Sequence, residues 1–530
     1  MGEKNYSNKV PVLWEETPTH PQRFNYRYYA KGAWKEGFIP FLKHLKRFLT
    51  DRDNRLQQQN ILALLVLLVL LVYFTVISFL SEGTYGGGDD LHHYRFARYA
   101  FRYPHFLLDH WGKPLFTVLN APFAQAGYNG ARLYNVLAAM FTAFFTFKLM
   151  QARQQKNAVL IIFFVLFAPV FMSLIPSVMT EITGSLCLVL AVFLYFRKNY
   201  AWAAFVISFI PMARTEGFLI IPLFLFMLAM RRQWKALPLL LAGSVIFSLA
   251  GWKHYGDLFW IITKIPYGSF SADIYGSGNL FFYVNPDGLK MIIGFPLAVL
   301  FVIGILRHFY ELIKSRFSLK TYHFDEFILI FLPVIIVLVF HSLAWYLGTG
   351  ALALHRFMVL VIPLAVFFSL KGFNWLEKLL SFNIRAIQLV LSLLVVVLVI
   401  RTTVATYRFP VPLSSPAILV KEACDWIEDN DLNRKKIYYF DPNVFFFLDI
   451  DPHDENKIHC EVYDVHDPGV RIEPGSVLIW DAHFGPNEGR LPLERLTGSS
   501  DFIELRRFEP QYPFQVLGGY YYAVYVFQRI

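Results

Sequence analysis

Ile61-Leu-Ala-Leu-Leu-Val-Leu-Leu-Val-Leu-Leu-Val-Tyr-Phe-Thr-Val-Ile-Ser-Phe-Leu80 is followed, after a short polar step, by Gly86-Gly87-Gly88-Asp89-Asp90-Leu91-His92-His93-Tyr94. The first stretch has the length and polarity of a helix that crosses a bilayer, which takes about 20 apolar residues. The second places two adjacent carboxylates just past that helix, at the water edge of the membrane. There they stay ionised and still face a lipid-borne substrate. A Gly-Asp-Asp step also closes polar turns, so the pair gains meaning only from its company.

Composition sets the class. The 530 residues are 56% hydrophobic, 18% aromatic and 17% charged. Soluble domains carry about 25% charged residues, so the chain reads as a polytopic membrane protein. The net charge of +10 does not point to nucleic acid. The basic residues are dispersed at the ends of apolar runs, where they orient spans and meet anionic headgroups. Three cysteines are too few for a disulfide framework. Cys187 lies inside an apolar run, and a pairing of Cys424 with Cys460 is left open. The polar N-terminus argues against a cleavable signal peptide.

Residues 1–60 form a basic segment, expected in the cytoplasm. Its Phe38, Ile39, Phe41, Leu42, Leu45, Phe48 and Leu49 recur at helical spacing among lysines, the pattern of an amphipathic helix on the membrane surface. Further apolar runs fall near 131–150, 158–175, 181–196, 200–213, 217–230, 236–252, 291–306, 326–343, 351–370 and 384–401, so about 11 transmembrane helices are expected over residues 61–402. Short loops with Lys148, Arg153, Lys156, Arg197, Lys198, Arg231, Arg232, Lys235, Arg307, Lys314, Arg316, Lys320, Lys371, Lys378 and Arg385 share one side with the N-terminus. That side is read as cytoplasmic. The loops 81–130 and 253–290, and everything past 402, then face outward. Over residues 403–530 the apolar runs shorten to strand length, at Lys436–Phe440, Val477–Trp480, Phe502–Arg507 and Tyr521–Phe527, with a helical pattern at Ala417–Glu428. This is the pattern of a C-terminal soluble α/β domain. Asp481 and His483 end one of its strands, where α/β sheets often place ligand contacts or a turn-closing cap.

Ionisable groups at the membrane edge are costly and read as functional by default. The outward side collects Asp89 and Asp90, Lys113 before Pro114, Glu181 at the opening of a span, Arg214 and Glu216 between Phe205 and Leu228, and His355 with Arg356 between Leu347 and Leu370. Each has a structural use of its own, such as an Arg214–Glu216 ion pair or an Arg356 that snorkels. A shared face gathers them into one candidate site. Guanidinium groups and an ammonium bind the phosphate of a lipid-phosphate sugar donor. A positioned carboxylate takes the proton of an attacking hydroxyl. Direct displacement inverts the anomeric centre, as in inverting glycosidases.

Asp89-Asp90, Tyr94, Arg98-Tyr99-Ala100 and His110-Trp111-Gly112-Lys113-Pro114-Leu115 together resemble the first outer loop of the GT-C superfamily of membrane glycosyltransferases, in particular the protein O-mannosyltransferases and the bacterial aminoarabinose transferases. Those carry Asp-Glu and a Lys-Pro-Pro-Leu step where this chain has Asp-Asp and a single proline. Glu181 resembles the acidic residue of their second outer loop, and His355-Arg356-Phe357 a late-loop step of the lipid-linked mannosyltransferases. The resemblance implies a GT-C-like polytopic α-helical fold and transfer of a sugar from a polyprenyl-phosphate donor to a lipid, glycan or protein acceptor. It implies Asp89 as catalytic base with Asp90 assisting. Lys113, Arg214 and Arg356 become donor-phosphate candidates, and His92, His93, Glu181, Glu216 and His355 further substrate contacts.

A transporter or flippase of lipid-linked saccharides is the main alternative. It would place ionisable groups at mid-bilayer and show internal repeats. A non-catalytic scaffold would leave the Asp pair unexplained. His92 and His93 beside two aspartates offer metal ligands, but adjacent histidines are not at a zinc spacing, so no metal or other cofactor is assigned. The outward segments hold no Asn-x-Ser/Thr step, and Asn5-Tyr6-Ser7 lies in the N-terminal segment. This favours a bacterial inner membrane, with the C-terminal domain periplasmic, over the endoplasmic reticulum.

Overall fold

Why one helix faces two solvents is visible in the first span. In the computed structural model, which describes residues 55–266, 276–319, 321–349, 352–381, 384–459 and 468–530, this helix runs Arg55–Leu80. It starts ahead of the expected Ile61 because Leu56 and Gln57 to Gln59 are good helix formers. Ala63, Leu67, Leu70 and Phe74 are buried, whereas Leu64, Leu65, Leu68, Val69 and Val72 are exposed. Buried positions thus follow the 3.6-residue period and form one stripe toward the protein, and leucines cover the lipid side. The amphipathic helix expected over 38–49 lies outside the described residues.

All the expected apolar runs are helical, several of them in pieces. Among the described residues, seven helices are long and apolar enough to cross a membrane: Leu56–Leu80, Tyr128–Ala152, Trp234–Tyr255, Phe295–Lys314, Tyr322–Leu347, His355–Leu380 and Arg385–Thr406. Shorter apolar helices cover Glu181–Phe196, Tyr200–Met212 and Gly217–Met230. The chain is a multi-pass membrane protein. The run expected over 158–175 divides into Leu160–Leu166 and Pro169–Leu174, because a proline cannot donate to the preceding turn. The centre of the bundle is the Ile362–Leu380 helix, continuous from Met358 to Phe373 in burial. It crosses Phe295–Lys314 backbone to backbone: a Cβ on Gly304 would lie 1.8 Å from the Phe368 carbonyl oxygen, and one on Gly372 would lie 2.1 Å from that of Leu300. Small residues allow such crossings in membrane bundles.

Lys371 corrects one expectation. It is not in a loop but within this central helix, buried, with Nζ 2.6 Å from Glu311 Oε2 and 3.2 Å from Glu326 Oε2.

The C-terminal part folds as a small α/β domain. Strands β1 (Ile437–Tyr439), β2 (Ile458–His459), β3 (Val477–Asp481), β4 (Phe502–Phe508) and β5 (Val524–Arg529) form one sheet in the order β2-β1-β3-β5-β4. β2, β1 and β3 are parallel, and β5 runs antiparallel to both β3 and β4. The Ser415–Asp429 helix lays Leu419, Val420, Ala423, Cys424 and Ile427 onto this core. Ser414 caps it, accepting from the Ala417 amide at 3.3 Å.

Candidate functional site

The first outer loop is held from three directions before any chemistry is placed on it. Arg132 donates to the carbonyls of Ser78, Ser81 and Gly83 at 3.0, 2.6 and 3.0 Å, which satisfies the orphan carbonyls at the end of the first span. Gly83 bonds the Val411 carbonyl at 3.0 Å. The C-terminal domain closes the third side. Asp451 pairs with Arg102 at 2.6 Å, Phe446 packs on Tyr94 and Tyr128, and the His453 ring lies on Tyr103 and Phe106.

Within this frame the glycines set the backbone. A Cβ on Gly86 would sit 2.2 Å from Asp90 Oδ1. Gly88 has φ +93°, and a Cβ there would meet Pro442 and Phe484 of the C-terminal domain at 3.3 and 3.5 Å. Only glycine takes that conformation without strain. The Asp89–Tyr99 helix begins directly after it, so both aspartates occupy its first turn, where the helix dipole favours negative charge.

The two carboxylates are treated differently. Asp90 is buried, and its Oδ2 accepts from Thr84 Oγ1 at 2.7 Å and from the Tyr128 hydroxyl. Asp89 keeps 37% of its side chain exposed and contacts Arg356 Nη2. Burial raises the Asp89 pKa above the usual carboxylate range; Arg356 opposes this, and Glu181 and Asp90 add to it. Of the pair, Asp89 is the accessible one.

From Asp89 an ion-pair chain runs through the site. Arg356 Nε lies 3.7 Å from Glu181 Oε1, Arg214 bonds Glu181 at 3.0 Å and Glu216 at 2.7 Å, and Glu216 meets His341 Nε2 at 2.9 Å. Glu181 is the first residue of its helix. Gly184 makes room one turn on, since a Cβ there would lie 2.7 Å from Arg214 Cγ. Lys113 is buried, bonds Thr215 Oγ1 at 2.9 Å and holds φ +62°, a conformation unusual for a side chain of its size. Burial, then Arg214, pushes its ammonium pKa down to about 7. The structure therefore brings Asp89, Asp90, Lys113, Glu181, Arg214, Glu216 and Arg356 together from five separate segments.

The histidines divide. His93 is buried and stacks on Trp111 with ring centroids 4.7 Å apart; burial, then Lys113, Arg356 and Arg214, holds its pKa well below the usual value. His92 meets the same indole edge-on, and burial and Arg95 lower its pKa as well. Both pack as neutral rings. His355 stacks on Phe282 at 4.7 Å, beside Tyr283, whose ring also neighbours His341. Thr84, Tyr128, Thr215 and His341 contact these candidate residues and are absent from the sequence reading. His341 alone carried a signal, as a lone ionisable group in an apolar run. In the C-terminal domain Asp481 Oδ1 accepts from the His483 and Phe484 amides at 3.0 and 2.8 Å, closing its own turn.

Among the described residues, the ligand atoms of His308, His323 and Glu326 lie within 4.8 Å of one another, a spacing open to a metal ion. Lys371 Nζ stands among them, 3.2 Å from His308 Nδ1, and already supplies positive charge. This cluster is at the far end of the bundle from Asp89.

No family model matches the sequence, and a search of curated proteins finds no match. Solved structures do match. ArnT from Cupriavidus metallidurans in its apo state is 13% identical, with TM-score 0.55, covering 87% of this chain and 97% of that one. The same protein bound to undecaprenyl phosphate is 12% identical, with TM-score 0.50 and the same coverage. The likeness is one of fold, along nearly the whole of both chains. The GT-C-like architecture expected from the first loop is the one this chain adopts.

Proposed function

We propose that the chain is an integral-membrane glycosyltransferase that moves a sugar from a polyprenyl-phosphate donor to a hydroxyl acceptor on the outer face of the membrane. The observation that carries this reading is the contact of a partly exposed Asp89 with Arg356, continued through Glu181 and Arg214 with Lys113 alongside. It joins a base to phosphate-binding cations at helix ends. The fold neighbour bound to undecaprenyl phosphate supports a donor of that class, and the basic short loops support the outward side.

In this mechanism the donor phosphate draws the Arg356 guanidinium onto itself, and Lys113 adds a point charge. Asp89 is left with its carboxylate toward the acceptor. The acceptor oxygen attacks the anomeric carbon as its proton passes to Asp89. The carbon–oxygen bond to phosphate breaks with its electron pair going to the polyprenyl phosphate, whose charge the cations stabilise. The anomeric centre inverts. Asp90, held by Thr84 and Tyr128, fixes the first turn that presents Asp89.

The test is incubation of the purified full chain with a panel of radiolabelled polyprenyl-phosphate sugars, following which label leaves its carrier. Release of one sugar by the wild type, and none by Asp89→Asn, is the expected result. A wild-type chain that releases no label from any donor, or an Asp89→Asn chain that transfers normally, overturns the reading.

A further inference from the structure

The C-terminal domain carries a pocket of about 130 Å³ that the transfer site does not use. Its walls include Trp480, Glu494, Arg507, Glu509, Tyr521 and Tyr525. Tyr525 sets its ring edge-on to Trp480 at 5.7 Å, and the Arg507 guanidinium lies 5.0 Å from the Tyr525 centroid while pairing with Glu509. At the mouth, Tyr520 and Tyr521 are 42% and 66% exposed, and the Arg507 and Glu509 side chains are half-exposed. The pocket therefore sets two exposed tyrosines beside a carboxylate–guanidinium pair, over a floor of buried aromatic rings.

We propose that this pocket binds one ring of an oligosaccharide, which makes the acceptor or its extension a glycan. A sugar ring has an apolar C–H face and an edge of vicinal hydroxyls. Aromatic rings cover the first through dispersion and weak C–H contacts. A carboxylate and a guanidinium held side by side accept from and donate to the second. The volume is below that of sites for drug-sized ligands, roughly 300–1,000 Å³, and has room for a single ring. Two carboxylates, Glu494 and Glu509, against one paired arginine disfavour an anionic ligand. They also disfavour insertion of the tyrosines among anionic headgroups.

The pocket is tied to the transfer site by a short structural path. Ala482 of its wall adjoins the turn closed by Asp481. Phe484 of that turn abuts Gly88, next to Asp89. Asn487, at the end of the same turn, donates to the Leu517 carbonyl at 2.9 Å and so holds the loop that leads into Tyr520 and Tyr521. A glycan seated here extends along a surface joined to the Asp89 loop. This deepens the transferase reading by naming the acceptor class and rests on it only for that step.

The experiment uses the full chain in lipid nanodiscs and a panel of free α- and β-linked di- to tetrasaccharides of glucose, mannose, galactose and N-acetylglucosamine. Binding is read by saturation-transfer NMR and titration. At least one member binds the wild type, and Tyr521→Ala and Glu509→Gln each weaken it tenfold or more with the unfolding midpoint unchanged. Asp89→Asn binds the same member as the wild type, which separates failure of the pocket from failure of the transfer reading. A panel that fails to bind, or binds both pocket variants as well as the wild type, overturns the proposal. So does quenching by brominated lipid of a fluorophore placed through Tyr521→Cys, which would put this loop in the bilayer.

Discussion

Two charge clusters stand at opposite ends of the Tyr128–Ala152 helix, about 37 Å apart along its axis. At one end Tyr128 bonds Asp90, and the chain Asp89–Arg356–Glu181–Arg214–Glu216–His341 begins. Past the other end Arg153 bonds Glu326 at 2.9 Å, Glu326 joins Lys371 and His308, and Lys371 joins Glu311. Both are built from carboxylates, histidines and basic side chains, and by composition either is a candidate site. Access separates them. The second cluster closes on itself: Glu326 and His308 have no exposed side-chain surface, and Lys371 has 8%. The first is assembled from loops and helix ends, leaves Asp89 open and holds Lys113, at positive φ, against Thr215. Ion networks also serve structure alone, so a buried one is a weak sign of function, and an accessible carboxylate within one is a stronger sign.

The sharpest way to break this contrast is Asp89→Asn. Loss of a general base costs about 10²–10⁴-fold in rate, with unfolding of the purified protein unchanged. If transfer persists, the open cluster has no more claim to chemistry than the closed one. Lys371→Met addresses the closed cluster. It removes the cation shared by Glu326 and Glu311 and leaves them Arg153 and Arg307, a loss of at most about 3–5 kcal/mol, read as a lower unfolding midpoint. The activity per folded molecule stays at the wild-type level. A selective loss of activity without loss of stability would make the far cluster functional.

The pH profile sharpens the comparison further. In the proposed mechanism Asp89 acts deprotonated, and its pKa is raised, so kcat/KM is expected to fall as pH drops through that raised value. In the same mechanism Lys113 binds phosphate protonated, with a pKa of about 7, so kcat/KM is also expected to fall as pH rises past 7, about tenfold per unit on that limb. Lys113→Arg, which stays charged, moves the alkaline limb upward and leaves the acid limb in place. The smallest effect is expected from Thr84→Val, which removes one of the two hydrogen bonds to Asp90 Oδ2 and costs about 1 kcal/mol in unfolding, with Asp89 chemistry retained.

Much of the architecture was legible because bilayers impose a strict length and polarity on each crossing. The breaks inside crossings were less so. Pro169 divides a run whose composition is uniformly apolar. Lys371 reads as a loop residue because it follows the apolar run 351–370, whereas the helix continues through it, Gly372 serves a close helix crossing and the lysine is matched by carboxylates 45 and 60 positions away. In the candidate site the charged members stood out against apolar neighbours, so Asp89, Glu181, Arg214 and Arg356 were found. Thr84, Tyr128 and Thr215 were not. Their roles arise from contacts such as Tyr128 to Asp90 and Thr215 to Lys113, separated by 38 and 102 positions, and hydroxyl residues carry no local mark of such partners. His341 was overlooked although the rule used for Arg214 applies to it equally.

The left-handed backbone at Lys113 has a corollary. Glycine would fit that turn better by of the order of 1 kcal/mol and would also remove a desolvated ammonium. Lys113→Gly is therefore expected to give a hardier protein and a poorer catalyst. On the proposed role of Lys113, robustness and turnover pull in opposite directions at this one turn.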